Sequence, residues 1–198
     1  MNRSGFTLVE LAIVLVIIGL LLGGIIKGQE MIANAKIKRE YNAQKEVAAA
    51  IYSYYDRYGM YPGDDSAALT KFTAVTNGNA NGIIGVGAAT TTGNFACTAT
   101  NTEQCDLWSE LRQAGFIPGS GFTNPTHPYG GAIAVSYYNA PLAPALLQHW
   151  IQMSNIPYDV AKAIDQQYDD ANGATGSIRG VTDYTAATTG VFTMLFKM

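Results

Sequence analysis

The segment Gly5-Phe6-Thr7-Leu8-Val9-Glu10 opens an apolar run that extends to Ile26. Glu10 is the only charged residue within residues 6–26. A helix of this length covers roughly 31 Å, about the thickness of the hydrocarbon core of a bilayer. The run therefore predicts a membrane-spanning helix over residues 6–26, preceded by a short leader, residues 1–5.

Glu10 is unusual because an ionised carboxylate inside a bilayer costs about 2.5–3.5 kcal/mol. No Lys or Arg lies between it and Lys27, so the same stretch of helix supplies no cation. Cleavage between Gly5 and Phe6 would create one, because the new α-amine is protonated at neutral pH. Pairing of that amine with Glu10 of an adjacent copy would compensate both charges. This predicts a helix that assembles with copies of itself.

The residues Gly5-Phe6-Thr7-Leu8-Val9-Glu10-Leu11 resemble the type III signal sequence of type IV pilins and type II secretion pseudopilins. The resemblance implies cleavage by a prepilin peptidase between Gly5 and Phe6, N-methylation of Phe6, and an assembly salt bridge at Glu10. It also implies an inner-membrane precursor and an inner-membrane assembly platform as a partner. The product would be a periplasmic or cell-surface filament of this chain and related pilin subunits.

Two other interpretations of the N-terminal segment remain open. A secretory signal peptide usually has an apolar region of only about 7–15 residues, and the small-x-small triplet Ala33-Asn34-Ala35 lies well beyond this one. An uncleaved membrane anchor would leave Glu10 without a partner. The positive-inside rule opposes the resemblance, because Arg3 precedes the run whereas more basic residues follow it, namely Lys27, Lys36, Lys38 and Arg39.

Composition limits the remaining functions. The chain has 198 residues, which suits one membrane span and one compact domain. After Tyr58 there are five basic and ten acidic residues, so generic nucleic-acid binding, which needs a basic patch, is not expected. The sequence contains no nucleophile elbow, no zinc-protease motif and no Walker loop, so we do not expect an enzyme.

The chain contains two cysteines, Cys97 and Cys105. In an oxidising compartment they predict one disulfide that closes a small loop. Two free buried thiols are the alternative. A zinc site is not expected, because the two cysteines have no paired histidines.

Helical periodicity continues after the apolar run. A stripe of mostly apolar and aromatic residues, spaced alternately by four and three, predicts an amphipathic helix over residues 27–58. The stripe contains Ile37, Tyr41, Gln44, Ala48, Ile51, Tyr55 and Tyr58, and Val47, Ala50 and Tyr54 widen it. The predicted polar face carries Lys36, Lys38, Arg39, Glu40, Lys45, Glu46 and Arg57. Gly59 and the turn at Pro62-Gly63 predict its end, and Asp64 and Asp65 are expected to be turn and cap groups for the backbone that follows.

Residues 59–198 are predicted to form a globular head. Residues 103–114 and 157–170 have helical patterns, and residues 73–102 read as a long loop with short strands at residues 82–86. Four β-rich runs, at residues 132–138, 148–153, 177–181 and 191–197, predict a small antiparallel sheet. The predicted fold is α+β and pilin-like, with one long N-terminal helix packed on that sheet.

Three carboxylates, Asp165, Asp169 and Asp170, cluster at the end of the helix predicted at residues 157–170. Carboxylates at a helix C-terminus oppose the macrodipole and need compensation. Calcium would supply it, with Asn172 and loop carbonyls as further ligands, and some pseudopilins bind calcium in their heads. Lys162 and Arg179 are the alternative source of positive charge, and the EF-hand spacing is absent.

The sequence thus predicts a structural subunit of a type IV pilus or of a type II secretion pseudopilus. The alternative is a monomeric, membrane-anchored extracytoplasmic binding protein whose acidic head captures a ligand such as calcium.

Overall fold

The computed structural model describes residues 5, 7–85, 92–100, 102–142 and 144–198. The chain divides into two compact units, Met1–Lys38 and Arg39–Met198. In chain order its elements are α1 Leu8–Tyr58, α2 Ala68–Lys71, α3 Glu103–Gln113, β1 Ile133–Ala140, β2 Leu146–Pro157, α4 Tyr158–Tyr168, β3 Ile178–Gly180 and β4 Val191–Lys197. The predicted long helix, the two shorter helices and the four strands are therefore confirmed.

The first unit contains the N-terminal part of α1. Its apolar window is long and apolar enough to cross a membrane, and none of that window is buried by the rest of the chain. Large aliphatic side chains are exposed along it, including Leu15 and Leu20, which are 70% and 73% exposed. The unit therefore leaves its apolar surface uncovered within a single chain.

The second unit contains a four-stranded sheet in the order β1-β2-β4-β3, in which every neighbouring pair is antiparallel. β1 and β2 form a hairpin whose register runs from Ile133 opposite Met153 to Ala140 opposite Leu146. The pairing of β2 with β4 shifts between Met153 and Ile156. Asn155 lies in this irregular stretch and has a φ of 62°, in the left-handed region.

The part of α1 that belongs to the second unit buries six residues, Glu40, Gln44, Val47, Ala50, Ile51 and Tyr54. Tyr41 stacks on Tyr168 of α4 at a centroid distance of 3.6 Å and lies 6.4 Å from Phe196 of β4. Two details of the predicted amphipathic pattern are wrong. Glu40 is fully buried and not on the polar face, whereas Tyr55 is 45% exposed.

The end of α1 agrees with the prediction. Gly59 adopts a φ of 75°, and its N–H donates to the Tyr55 carbonyl at 2.8 Å. Asp64 and Asp65 cap the backbone that follows, as predicted. Asp65 Oδ1 accepts from Ala67 N at 2.9 Å just before α2, although the N-cap residue itself, Ala67, makes no side-chain cap hydrogen bond. Asp64 accepts from the backbone of the following loop, at Asn81 N and Gly82 N.

The long loop that follows α2 contains no strand within residues 73–85 and 92–100, the part that the structure describes, so strands are not formed at residues 82–85. Ile84 is nevertheless buried, and its N–H donates to His149 Nε2 at 3.1 Å while its carbonyl accepts from Tyr137 N at 2.8 Å. These contacts attach the loop to the β1–β2 hairpin. They replace the ladder hydrogen bonds that a strand would have made.

A buried carboxylate lies where α3 packs against the turn after α1. Glu110 Oε2 accepts a hydrogen bond from Gly63 N at 2.9 Å. Burial is the largest cause that raises the pKa of Glu110 to about 8. The Gly63 N–H and the Tyr54 hydroxyl act in the opposite direction, and the carboxylates of Asp65 and Asp106 raise the pKa further. Glu110 is therefore protonated in the folded protein at neutral pH.

The raised pKa of Glu110 makes stability depend on pH. Its contribution is fully present below the ordinary glutamate pKa of about 4.5, declines as pH rises, and is lost above about pH 8. We expect Glu110→Gln to remove this decline, so that the variant exceeds the native chain in unfolding free energy by roughly 3 to 5 kcal/mol at pH 9. Urea unfolding of the full chain in detergent, followed by fluorescence of the buried Trp108 and Trp150, measures it.

Glu46→Gln provides the control, because Glu46 is exposed on α1. The control variant should follow the native chain at both pH 5 and pH 9. If the unfolding free energies of Glu110→Gln and the native chain differed by the same amount at pH 5 and at pH 9, Glu110 would not be the group that makes stability depend on pH.

Candidate functional site

The N-terminal segment carries the site that the sequence predicted for processing and assembly. Gly5 is described and exposed, whereas Phe6, the predicted methylated residue, lies outside the described residues. The bond predicted to be cleaved joins these two residues. Its cleavage therefore remains a prediction.

Glu10 forms a reciprocal capping box with Thr7 at the start of α1. Thr7 N and Thr7 Oγ1 donate to Glu10 Oε2 at 2.8 and 2.9 Å, and Glu10 N donates to Thr7 Oγ1 at 3.2 Å. Such boxes satisfy backbone N–H groups that have no partner within the helix. The spacing Thr7-x-x-Glu10 is the sequence signature of such a box, so this contact could have been predicted from the sequence. The carboxylate is thus held in place by uncharged donors of its own helix.

The predicted disulfide is confirmed. Cys97 and Cys105 are bonded with a Cα–Cα distance of 5.3 Å, which links the loop before α3 to the first turn of that helix. Cys97 N donates to Asn124 Oδ1 at 2.9 Å, and Asn124 Nδ2 donates to the Ile133 carbonyl at 2.8 Å. The disulfide and Asn124 together attach this loop to both α3 and the start of β1.

The structure brings together the three carboxylates predicted as calcium ligands. One oxygen from each of Asp165, Asp169 and Asp170 lies within 4.8 Å of the others. Asp165 is fully buried, and its Oδ2 accepts from the Tyr184 hydroxyl at 2.9 Å. Its Oδ1 is buried without a hydrogen-bond partner among the described residues. The pKa of Asp165 is raised to about 6, chiefly by burial; the Tyr184 hydroxyl acts in the opposite direction, and the charges of Asp169 and Asp170 add to the rise.

The two outer carboxylates order the loop between α4 and β3. Asp169 accepts from Ser177 Oγ at 3.1 Å and from Ile178 N at 2.7 Å. Asp170 accepts from Asn172 N at 3.0 Å and from Thr175 Oγ1 at 2.5 Å. All these donors are uncharged, so the loop satisfies hydrogen bonds but does not neutralise the cluster.

The other residues predicted near the cluster have different partners. Asn172 Oδ1 accepts from Ala174 N at 3.1 Å, within its own turn. Lys162 Nζ donates to the Ala187 carbonyl, and Arg179 donates to the carbonyls of Pro144 and Gly176. Within the described part of the chain, neither cation forms an ion pair with the three carboxylates.

Both histidines, His127 and His149, make hydrogen bonds. His149 Nε2 accepts from Ile84 N, and its ring packs 4.8 Å from Tyr61 and 5.1 Å from Tyr137. Burial lowers the pKa of His149 to about 4, so this ring is neutral at physiological pH. His127 contacts Glu40 on α1, a partner distant in sequence that the pattern did not reveal.

An exposed apolar N-terminal helix, a capped Glu10 in its first turn and a four-stranded antiparallel sheet define a pilin-like α+β protein. The model of the prokaryotic N-terminal methylation motif matches residues 1–26. Fimbrial protein EcpC of Eikenella corrodens is 33% identical over 101 residues, which cover 50% of this chain and 65% of that relative, less than two thirds of its length. No solved structure matches the chain. The chain is thus similar at its N-terminus to proteins that carry the methylation motif, and over half of its length to a fimbrial protein.

Proposed function

We propose that the chain is a structural subunit of a type IV pilus or of a type II secretion pseudopilus. The observation that carries the proposal is that the methylation motif, residues 1–26, coincides with an uncovered apolar helix whose first turn holds a carboxylate. The similarity to a fimbrial protein supports the same role. In this role the apolar surface of the first unit is covered first by lipid and then by the helices of other copies.

The capping box explains how the Glu10 carboxylate is accommodated in the bilayer before assembly and remains available for pairing in the filament. Thr7 donates two hydrogen bonds to Glu10 Oε2, which lower the cost of holding the carboxylate in the bilayer before assembly. Cleavage between Gly5 and Phe6 retains Thr7 and creates an α-amine on Phe6. During assembly that amine, on a neighbouring copy, supplies the positive charge that Thr7 cannot provide. The prepilin peptidase and the inner-membrane platform are the proposed partners in these steps.

Glu10→Gln separates charge from capping, because the glutamine oxygen still accepts the Thr7 hydrogen bonds. We expect the variant to enter the membrane normally but to yield about tenfold fewer filaments or less, since each 1.4 kcal/mol of lost pairing is a factor of ten. Immunoblots of sheared filaments and of washed membranes measure the two quantities.

Glu30→Gln is the matched control, because Glu30 lies on the same helix, is 58% exposed and pairs only with Lys27 in the described structure. It should assemble within about twofold of the native chain, as expected for a surface ion pair. Native filament yield from Glu10→Gln would contradict the assembly role and favour the monomeric anchored binding protein.

Processing has a separate test. The mature protein, isolated from its own membranes, should begin at an N-methylated Phe6, and replacing Gly5 with a bulky residue should leave the leader attached. Intact mass and N-terminal sequencing measure both outcomes. A native chain that begins at Met1, or at Lys36 after the triplet Ala33-Asn34-Ala35, would exclude prepilin processing.

A second proposed function is calcium binding by the head. The observation that favours it is Asp165, a fully buried carboxylate whose Oδ1 has no hydrogen-bond partner among the described residues and which faces two further carboxylates. Oxygen-rich groups of this kind are the ligands that calcium prefers. A bound cation would compensate the three negative charges that the uncharged loop donors leave in place.

The full chain should unfold at a higher temperature in calcium than in EDTA. At a calcium concentration one hundred times Kd, the expected gain in unfolding free energy is about 2.7 kcal/mol. Asp165→Asn should abolish that response. In EDTA the same variant should be more stable than the native chain above pH 6, because the contribution of a group with a raised pKa is lost as pH rises through that value. Thermal unfolding followed by tryptophan fluorescence measures both effects.

Asp183→Asn is the control, since Asp183 is exposed and its carboxylate accepts only local hydrogen bonds at Thr185. It should keep the calcium response. Calcium binding at this cluster would be contradicted if calcium did not stabilise the native chain, or if it stabilised Asp165→Asn equally. Neither result would bear on the filament proposal, which is tested by Glu10→Gln.

A further inference from the structure

A buried polar contact joins α1 to the sheet through His127. The His127 Nδ1 atom lies 3.0 Å from Glu40 Oε1 and 3.1 Å from Glu40 Oε2. On its other side, His127 Nε2 lies 2.7 Å from the Ser154 carbonyl oxygen. Glu40 is 0% exposed and His127 5% exposed. The ring therefore bridges a helix residue and a strand residue out of contact with bulk water.

Counting protons identifies the state of this bridge. The Ser154 carbonyl can only accept a hydrogen bond, so Nε2 must carry a proton. An ionised Glu40 also only accepts, so Nδ1 must carry one as well, whereas a neutral imidazole has a single N–H. The arrangement thus holds one proton more than a neutral histidine beside a carboxylate. Imidazole is intrinsically more basic than a carboxylate, which places this proton on the ring.

The backbone around the ring fixes its position. A Cβ on Gly131 would collide with both the Ser154 carbonyl oxygen and His127 Nε2, so only glycine fits beside this hydrogen bond. Gly130 N donates to the His127 carbonyl at 2.9 Å, and His127 N donates to the Gly131 carbonyl at 3.2 Å. The ring is held by a tight turn and cannot easily swing to another partner.

Other titratable groups also surround the bridge. Arg39 and Glu46 of α1 line a cavity next to His127. Tyr129 lies within electrostatic reach of Glu40, because its pKa is raised first by burial and then by the charges of Glu40 and of Asp159 of α4. Among the described residues, Glu40 forms its ion pair with His127 alone. Within this part of the chain, the His127 ring is therefore the group placed to compensate a charge on Glu40.

We propose that Glu40, His127 and Ser154 form a proton-dependent latch that fastens α1 to the irregular part of β2. While the ring carries both protons, it donates in two directions and closes the latch. When the proton leaves at rising pH, the lone pair of Nδ1 faces the Glu40 carboxylate, and an uncompensated charge remains buried. The latch then opens, which gives the head a response to alkaline pH whether or not the chain assembles.

The experiment is a long-range ¹H–¹⁵N spectrum of the full chain in detergent with ¹⁵N-labelled histidine. The chain has two histidines, and His149 is an internal reference because its Nε2 accepts a hydrogen bond and is unprotonated. At pH 7 we expect both ring nitrogens of His127 to be protonated and only Nδ1 of His149. Glu40→Gln should convert His127 to a neutral ring protonated at Nε2, because the glutamine amide can donate to Nδ1.

Glu46→Gln makes the same change of charge at the rim of the cavity and should leave both spectra unchanged. A neutral His127 ring in the native chain at pH 7, or one that Glu40→Gln does not alter, would overturn the proposal. Exchange of the Ser154 amide, which donates to the Ala132 carbonyl, gives a second readout. Corrected for intrinsic rates, it should rise about tenfold per pH unit once the proton is released, and no such rise should occur in Glu40→Gln.

Discussion

The second unit depends on the pairing of polar groups that α1 buries. Three of the six residues on its inward stripe, Glu40, Gln44 and Tyr54, carry polar atoms. An apolar stripe alone would tolerate several rotations and shifts of the helix, whereas an unpaired buried polar group costs about 1–3 kcal/mol. Glu40 therefore needs the ring of His127, and the Tyr54 hydroxyl needs Asp65 Oδ2 at 2.9 Å. These two pairs lie about four turns apart on the helix and select one position for this part of α1 against the sheet and loops of the second unit.

Most buried carboxylates of the second unit are stabilised by neutral hydrogen-bond donors and only two by ion pairs, among the described residues. Within the described residues, Lys71 pairs with Asp65 and His127 with Glu40, but most buried acids accept from backbone N–H groups or hydroxyls. Glu110 avoids a buried charge by being protonated at neutral pH, because its pKa is raised to about 8. An acidic head with few cations thus remains folded because neutral donors replace counter-ions. Because these carboxylates have shifted pKa values, the stability of the second unit depends on pH. Groups with a raised pKa lose their contribution as pH rises, and groups with a lowered pKa lose theirs as pH falls.

The helices and strands of this fold could be predicted from local sequence patterns. The buried polar network could not, because it is formed by residues that are distant in the sequence. The long helix, the four strands and the disulfide follow from periodicity and cysteine spacing, which depend on near neighbours in the chain. Glu40 was assigned to the polar face because charged residues are rarely buried unpaired, and its partner lies 87 residues away. The Thr7–Glu10 capping box was the exception, since its spacing was visible in the sequence. The mutual approach of Asp165, Asp169 and Asp170 was predictable from their helical spacing, but the burial of Asp165 was not.

The second unit buries its polar and aromatic side chains within the chain, whereas the first unit exposes its aliphatic side chains. This difference bears on where copies of the chain would meet. In the second unit Glu40 and Asp65 find partners within the chain, and the large aromatic side chains Trp108 and Trp150 are fully buried. Among the described residues, the aliphatic side chains around Leu15 and Leu20 in the first unit are left exposed. Burial of apolar surface is worth about 25 cal/mol per Å², so this helix gains from any apolar contact from outside. Lipid and other apolar helices can supply that contact, and in the assembly proposed above the α-amine of a neighbouring copy would also supply a charge for Glu10.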